Sequence, residues 1–482
     1  MADENDDFLM KARFSPEHIG LKLLEEKIIT EQQFEEALMR QKRRGGGLGD
    51  SLIELGYLTE ERMNRFLHAY PPVPKTIEDT GLDASFLADL VLKHCFSLRE
   101  FKLADIVRKI KLPLSVVDHI IETLQHEKML EVKGGDGLAR ATYRFAITGP
   151  GQSRASGLLE LCRYIGPAPV SLSDYRQKIL AQSINKIVVN QQSLKKALSH
   201  LVINPNLLKA LGPALTSGQT IFLYGPTGNG KSSIAEAIGN IIPGTIFIPY
   251  AIYVDGELIT VFDPVNHIPV TPEKEDSTMD NRWLQVKRPV IISGGELTMR
   301  TLDLEFNPIS KFYIAPLQMK ANNGLFIIDD FGRQQIEPKI LLNRWIVPLE
   351  KRVDFLTLHT GMKFSIPFDQ LVVFATNLKP VDLVDEAFLR RIRYKIYIDY
   401  PSKEDFESIF RKTCEIKNVT FDPKAFEFLQ DIYEKIGVQR SANHPRDLLE
   451  HIIDQCRYYG RDPELTTEGV AEAWEQNFIK NF

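Results

Sequence analysis

The sequence predicts a multidomain α/β chain. A core built on a parallel sheet, with a helical lid behind it, follows a small α-helical repeat domain and a compact helix-and-hairpin domain. Three observations carry this. At 482 residues the chain exceeds the roughly 250–300 residues at which single cores stop growing, so about three or four domains are expected. A stretch near the amino terminus repeats itself at a constant offset. Short apolar runs at 221–224, 324–328 and 371–375 read as buried strands of one sheet, and the first opens into a glycine-rich loop. The boundaries this implies are 1–75 for the repeat, 76–150 for the helix-and-hairpin domain, 151–200 for a helical connector, 201–400 for the core and 401–482 for the lid.

Composition excludes some functions. Hydrophobic residues at 43% and charged residues at 26% are in globular proportion, and a formal net charge of -5 gives no global attraction to nucleic acid or acidic membranes. Any such binding has to be local. The acidic start, Met1-Ala-Asp-Glu-Asn-Asp-Asp7, lacks an apolar leader, and no run of about 18 apolar residues follows, so a cytoplasmic location without membrane insertion is expected. Cys95, Cys162, Cys414 and Cys456 are far apart and include no Cys-x-x-Cys pair, which points to buried thiols rather than a zinc site or a disulfide framework.

Aligned from His18 and from Gly47, the two copies of the repeat match Ile19 with Leu48, Gly20 with Gly49, Leu23 with Leu52, Leu24 with Ile53 and Glu25 with Glu54. The match continues through Thr30 with Thr59, Glu31 with Glu60 and Leu38 with Leu67. Each copy reads as a short helix, a turn and a second helix capped by Thr30 or Thr59 with an acid in its first turn, and two such units can bury one shared face. Over 15–70 this layout resembles the MshEN-type N-terminal domain of type II secretion and type IV pilus ATPases, in which two abutting Arg-Leu-Gly…Gly…Leu…Leu…Gln motifs hold cyclic di-GMP. The resemblance implies that nucleotide second messenger as a ligand and a link to pilus or secretion machinery. Four positions depart from it: His18 and Gly47 stand where arginine would face guanine, Lys27 replaces a glycine and Tyr70 a glutamine. Arginine offers a planar bidentate fork and stacks on bases, which His18 replaces in part and Gly47 not at all. Lys42, Arg43 and Arg44 in the spacer either supply compensating charge or form a solvated basic turn.

After the hinge Pro71-Pro-Val-Pro-Lys75, segments 86–95, 103–109 and 115–126 carry apolar residues at helical spacing. Segments 129–133 and 141–147 read as two strands around the turn Gly134-Gly-Asp-Gly137. Three helices and a hairpin make a winged helix. A recognition helix that reads DNA needs basic and amide groups on its exposed face, whereas this one carries Asp118, Glu122 and Glu127 against Lys128 and two histidines, so a protein contact is favoured over nucleic acid. The stretch 153–201 looks helical apart from Gly166-Pro-Ala-Pro169 and offers no catalytic group.

The chemistry concentrates farther on. The strand Ile221-Phe-Leu-Tyr224, the loop Gly225-Pro226-Thr227-Gly228-Asn229-Gly230-Lys231 and a helix starting Ser232-Ser233 form a strand–loop–helix phosphate-binding unit, the P-loop. Its glycines let backbone N–H groups curl around phosphate at a helix N-terminus, Lys231 reaches the β and γ phosphates, and Ser232 can ligate Mg²⁺. ATP is the expected nucleotide. The strand Gly324-Leu-Phe-Ile-Ile328 ends in Asp329-Asp330, a Walker B arrangement in which Asp329 holds Mg²⁺ with Ser232 and Asp330 orients or deprotonates water. A third strand ends in Thr376-Asn377, and Asn377 fits a water-polarising group. Arg390 and Arg391 close a helix-like segment from Asp385, and Arg446 begins a helix in the tail.

In this order the marks resemble the AAA+ ATPases over 201–482. Within them they look nearest to the MoxR-like group, on Ala321-Asn-Asn-Gly-Leu-Phe-Ile-Ile-Asp-Asp-Phe-Gly-Arg333, Leu341-Leu-Asn-Arg-Trp-Ile-Val-Pro-Leu-Glu350, and Pro367-Phe-Asp with Phe374-Ala-Thr-Asn377. The resemblance implies a Mg²⁺-dependent remodelling ATPase that forms a homo-oligomeric, hexameric ring and acts on a protein partner. It also implies Asn377 as sensor 1, Arg446 as sensor 2 on the lid, and Arg391, with Arg390 second, as the arginine finger reaching a neighbour's nucleotide. The family usually has glutamate where Asp330 stands, and the shorter side chain implies slower hydrolysis. The competing reading is an ATP-switched transcriptional regulator that binds DNA through its winged helix. Between the P-loop helix and the Walker B strand, 248–262 reads as a hairpin around Asp255-Gly256. Lys311-Phe-Tyr-Ile-Ala-Pro316 is expected either to present aromatic groups to a substrate near the ring axis or to lie in the core.

Overall fold

The structure is a computed structural model that describes residues 20, 23–24, 28–44, 48–59, 70–135, 143–186, 189, 191–242, 244–270, 279–383 and 389–477. His18, Lys27, Gly47, residues 60–69, Asp136, Gly137 and residues 385–388 lie outside the described residues.

Thr30 caps the helix Glu31–Arg44. The Gln33 N–H donates to Thr30 Oγ1 at 3.3 Å while the Thr30 N–H donates to Gln33 Oε1 at 2.9 Å, a reciprocal box that satisfies two free donors. The next unit runs helix Ala84–Leu98, β1 Glu100–Phe101, helix Leu103–Ile110, helix Leu114–His126, β2 Leu130–Gly135 and β3 Tyr143–Ile147, with antiparallel strands in the order β1-β3-β2. Helix Gly149–Leu161 straps this unit, because Arg154 donates to Asp89 at 2.7 Å and to Glu127 at 2.9 Å.

The remaining strands are β4 Val170–Ser171, β5 Ile221–Tyr224, β6 Thr245–Pro249, β7 Ala251–Val254, β8 Glu257–Thr260, β9 Trp283–Lys287, β10 Val290–Ser293, β11 Glu305–Asn307 and β12 Phe312–Ile314. They continue with β13 Leu325–Ile328, β14 Val353–Thr357, β15 Lys363–Pro367, β16 Leu371–Thr376 and β17 Tyr394–Tyr397. One five-stranded sheet, in the order β10-β13-β16-β5-β17, is parallel at every pairing. Its three central strands, β13, β16 and β5, are covered on both faces, which is why they read as unbroken apolar runs. Leu223, Ile327 and Val373 pack with Ile234 and Ile238 of helix Lys231–Gly239, whereas Phe222, Phe326 and Phe374 pack with Trp345 of helix Pro338–Lys351.

A second five-stranded sheet, β11-β12-β8-β7-β4, is assembled from three separate stretches of chain. One precedes the P-loop, one lies between the P-loop helix and β10, and one lies between β10 and β13. The β7–β8 hairpin turns at Asp255 (φ 49°) and Gly256 (φ 84°), the Asp-Gly turn that the sequence predicts. Alternation along these strands sends Ile252, Val254, Ile259 and Tyr313 to one face, where they share a core with Leu23, Ala37, Leu48, Leu52 and Tyr70. Ala251, Tyr253, Leu258 and Phe312 go to the other face and join Leu87 and Val91 of helix Ala84–Leu98. The two amino-terminal units are thus built onto opposite faces of the inserted sheet.

This decides between the two readings of 311–316 in favour of the core. Tyr313 is buried and Phe312 stacks edge-on against Tyr164 at 5.6 Å, so the aromatic run 311–316 is consumed by the two faces of the sheet and is not offered to a substrate. Arg282 pins the junction. Its guanidinium meets Asp280 at 2.8 Å and donates to Thr80 O at 2.9 Å and Pro169 O at 3.0 Å, with both side chains buried.

The segment expected to be the lid forms four helices among the described residues, Lys403–Lys417, Pro423–Ile436, His444–Tyr458 and Thr467–Asn477, closed around Phe406, Phe410, Leu429, Tyr433, Leu449 and Trp474. All four cysteine thiols are free, Cys95 and Cys414 being buried. Among the described residues no helix is long and apolar enough to cross a membrane.

Candidate active site

Three adjacent strands of the parallel sheet end at one edge, and each delivers one part of the site. From β5 comes the loop 225–231. At Gly225 (φ 146°) a Cβ would lie 2.0 Å from Ile398 O, and at Gly228 (φ 81°) it would lie 2.1 Å from Asn443 Oδ1, so only glycine fits either place. Gly230 caps helix Lys231–Gly239 and leaves its first-turn N–H groups at the loop. Lys231 is buried and donates Nζ to Gly225 O at 3.0 Å and Pro226 O at 2.7 Å. Burial lowers the Lys231 pKa, and the charges of Asp330 and Asp329 work against that fall.

From β13 comes the acidic pair. Asp329 Oδ1 accepts from Ser232 Oγ at 2.9 Å and from the Asp330 N–H at 3.0 Å, while Ser233 beside it is exposed. Asp330 is exposed and sits at φ 48°, a left-handed conformation that aspartate tolerates better than most side chains. Gln334 holds this turn, donating Nε2 to Asp329 O at 2.8 Å and Asp330 O at 3.1 Å and accepting from the Gly332 N–H at 2.7 Å. Aspartate in place of glutamate therefore has a backbone reason.

β16, which lies between the other two strands, supplies Asn377. Its Nδ2 donates to Thr227 Oγ1 at 3.1 Å, and its Oδ1 is buried without a hydrogen-bond partner among the described residues. At the end of β10, Glu296 accepts from the Gly294 N–H and from Ser293 Oγ, each at 2.9 Å, and the backbone donor holds its carboxyl below the usual range.

The lid meets the loop through residues that sequence reasoning missed. Asn229 Oδ1 accepts from the Ala442 N–H at 3.1 Å, and the single hydroxyl proton of Ser441 is shared between Asn229 Oδ1 at 3.1 Å and Thr227 O at 3.2 Å. Arg446 is exposed and pairs with its neighbour Asp447 at 3.3 Å, so the contact with the P-loop is made by Ser441 and Ala442. Arg391 donates Nε to Glu350 Oε1 at 2.5 Å at the end of helix Pro338–Lys351, with Arg390 exposed beside it. Gln334 and Glu296 gave no signal beyond being polar residues near a strand end, and Glu350 stood out only as the last residue of a quoted motif.

A cavity of about 390 Å³ opens next to the loop, lined by Ile203, Leu207, Asn229, Ile398, Tyr400 and Ala442 among others. Its volume is in the range of small-molecule sites. The residues fit a magnesium nucleotide on their own geometry: two positions where a Cβ would collide, a hydroxyl and a carboxylate 2.9 Å apart, and Asn377, whose Nδ2 bonds the loop's Thr227 while its buried Oδ1 has no hydrogen-bond partner among the described residues.

Known proteins offer distant likenesses. A family model described as a domain of unknown function (DUF8689) matches residues 402–476, the lid. Among curated relatives, spastin of Anopheles gambiae is 23% identical over 229 residues, 47% of this chain and 22% of that protein. A spastin homolog of Caenorhabditis elegans is 26% identical over 239 residues, 48% of this chain and 36% of that protein. The chain is AAA+ ATPase-like. It spans well under half the length of the curated relatives it matches. Similar solved structures include NtrX from Brucella abortus in complex with ADP, with 14% identity, TM-score 0.36, and 60% of this chain and 59% of that one covered. The Thermotoga maritima RuvB Holliday junction branch migration motor is similar at 15% identity and TM-score 0.30, with 60% and 70% covered.

Proposed function

We propose that the chain is a ring-forming, Mg²⁺-dependent remodelling ATPase that acts on a protein partner. The observation that carries this is the 2.9 Å bond between Ser232 Oγ and Asp329 Oδ1, with Asn377 bonded to Thr227 at 3.1 Å. Phosphate loop, acidic pair and sensor residue stand in one hydrogen-bonded set, the positioning that phosphoryl transfer to water requires. In this reading Lys231 and the N–H groups of 225–232 bind the phosphates, and Ser232 and Asp329 hold Mg²⁺. When bound, the ion neutralises charge on the β and γ phosphates. Asp330 orients the attacking water and takes its proton, Asn377 polarises it, and Arg391, with Arg390 second, serves a neighbour's site, so activity depends on assembly. Arg446 is the lid's sensor, and the MoxR-like affiliation rests on the motifs quoted above.

The unit 84–147 is read as a winged helix that contacts protein. His119, Glu122 and Glu127 are exposed along and just past helix Leu114–His126, a face that repels a phosphate backbone. The amino-terminal repeat is read as a platform packed on the inserted sheet. Tyr70, standing where the resemblance expects a glutamine at the ligand, is buried and sets its ring on Phe247 at 5.4 Å, so that position serves the core. A cyclic di-GMP response, and with it a link to pilus or secretion machinery, is tested by calorimetry on the full chain. No heat at high micromolar cyclic di-GMP removes both.

Phosphate release by the intact protein, Lys231→Ala and Asp330→Asn, with size exclusion in ATP, tests the main reading. Turnover and an ATP-dependent larger species are expected of the intact protein. If none of the three hydrolyses ATP and none assembles, the proposal fails.

A further inference from the structure

We infer that Asn229 couples the bound nucleotide to the lid, its Oδ1 holding Ser441 and Ala442 while its Nδ2 donates to an acceptor oxygen of the nucleotide. This rests on the nucleotide reading above and goes beyond it, because it gives one side chain of the phosphate loop two partners that move apart when the lid opens.

Five observations support it. Asn229 is 6% exposed, so its amide is committed to whatever surrounds it. Its orientation is fixed by chemistry, because the Ala442 N–H can only donate, so the atom 3.1 Å from it is the carbonyl oxygen Oδ1. The same Oδ1 accepts from Ser441 Oγ at 3.1 Å. The other end, Nδ2, is then a two-proton donor that is buried with no hydrogen-bond partner among the described residues. A buried amide donor without an acceptor is costly and uncommon in folded proteins, so an acceptor brought by a ligand is the economical account of it. Finally, Asn229 and Ala442 both line the cavity of about 390 Å³ beside the loop, together with Ile203 and Tyr400. A ligand seated there touches both sides of the coupler.

The consequence is mechanical. Helix His444–Tyr458, which carries Arg446, begins two residues after Ala442, so the Asn229 contact sets the angle at which that helix leaves the loop. A nucleotide that occupies Nδ2 fixes the amide plane and with it the two lid bonds. Asn229 is therefore a positioning residue for the lid as well as a ligand contact. The acceptor is a ribose oxygen or a phosphate oxygen, which share this chemistry.

The test uses the full chain with ADP and Mg²⁺, reading affinity by calorimetry and lid order by hydrogen exchange over 438–446. In the intact protein ADP slows exchange there. In Asn229→Ala the ADP dissociation constant rises about 5- to 10-fold, the size of one net hydrogen bond, and ADP slows exchange at 225–234 but no longer at 438–446. Asn229→Asp keeps an acceptor for Ala442 and loses the donor, so its lid exchange without nucleotide stays native while affinity falls at least as far. Comparing ADP with 2′-deoxy-ADP separates the sources, since a preference that vanishes in Asn229→Ala assigns the acceptor to the ribose and one that persists assigns it to phosphate. Native affinity together with native ADP-dependent protection of 438–446 in Asn229→Ala overturns this inference and leaves the nucleotide reading standing. Failure of the intact protein to bind ADP overturns both.

Discussion

Asp330→Asn isolates the one acidic position that departs from the AAA+ pattern, and the structure lets its cost be worked out. The backbone at 330 sits at φ 48°, where asparagine is as well tolerated as aspartate. The bonds that shape the turn, from the Asp330 N–H to Asp329 Oδ1 at 3.0 Å and from Gln334 Nε2 to Asp330 O at 3.1 Å, use only main-chain atoms of residue 330. The substitution therefore keeps the turn and removes a charge and a base. Loss of a positioned general base lowers turnover by roughly 10²- to 10⁴-fold, or about 3–6 kcal/mol at about 1.4 kcal/mol per tenfold. A second effect has a definite sign. Burial lowers the Lys231 pKa and the Asp330 charge is the main influence opposing that, so in Asp330→Asn the lysine gives up its proton at lower pH. ATP binding, which needs the ammonium, should then fall away on the alkaline side earlier than in the intact protein. Phosphate release at saturating ATP and calorimetric ATP affinity across pH read the two effects separately. Turnover within threefold of the intact protein, or a raised KM with unchanged kcat, would refute the assignment of Asp330 as the base.

The remaining expectations concern the subunit face and the interior. Arg391→Ala should lower kcat by about 10³-fold or more while ADP affinity stays native, and Glu350→Ala, which removes the carboxylate that aims Arg391, should lower it less; phosphate release by each variant mixed with Lys231→Ala subunits checks that the arginine acts across subunits. Arg282→Met leaves Asp280 buried without its cation and should cost about 3–5 kcal/mol, read as a shift in the denaturant midpoint of the amino-terminal units. Lys178 is buried beside the Phe247 ring at 5.7 Å, and burial pushes its pKa down to about 7. Between pH 7 and 10.5 the unfolded chain holds the extra proton, so wild-type stability should rise with pH over that window by up to about 5 kcal/mol, and Lys178→Met should abolish the rise in thermal melts.

What was legible in the sequence is what is local. Gly225 to Ser232, Asp329-Asp330 and Asn377 each follow an apolar run that can only be a buried strand, so motif and context lie within a dozen residues of one another. The Asp255-Gly256 turn is legible for the same reason. The inserted sheet is not, because its pairings join positions far apart in the chain: Val170 with Ile252, and Tyr313 with Ile259. A two-residue strand such as β4 has no periodicity to read, and Phe312 with Tyr313 can be read as core or as surface until both faces of its strand are known to be covered. The lid contact is hidden likewise. Nothing in Arg440-Ser-Ala-Asn443 announces that Ser441 and Ala442 meet an asparagine more than two hundred residues earlier, and Arg446 drew attention because charge is conspicuous in a sequence and a backbone N–H is not.

The inserted sheet also decides how the amino-terminal units can speak to the nucleotide site. β12 of the inserted sheet leads through helix Leu317–Lys320 into β13, while β9, which pairs with β6 in a separate two-stranded sheet, runs directly into β10, the neighbour of β13. β10 and β13 pair in register from Val290 with Leu325 to Ser293 with Ile328, and at their far end the Asp329 N–H donates to Ser293 O at 2.9 Å. Their near end is clamped by buried amides. Asn323 Nδ2 donates to Ile179 O at 2.9 Å and to Asp369 Oδ2 at 2.6 Å, Asn322 Nδ2 donates to Tyr175 OH at 3.0 Å, and Gln182 exchanges two 2.9 Å bonds with the Phe247 backbone. Helix Leu172–Ala181 and the residues just after it are thereby tied to the inserted layer and to the parallel sheet at once. A satisfied buried network of this kind holds one geometry, since any slip leaves polar groups unpaired. Strands with a clamped entrance carry a displacement rather than absorb it, and β10 and β13 run paired from that clamp to Ser293 and Asp329.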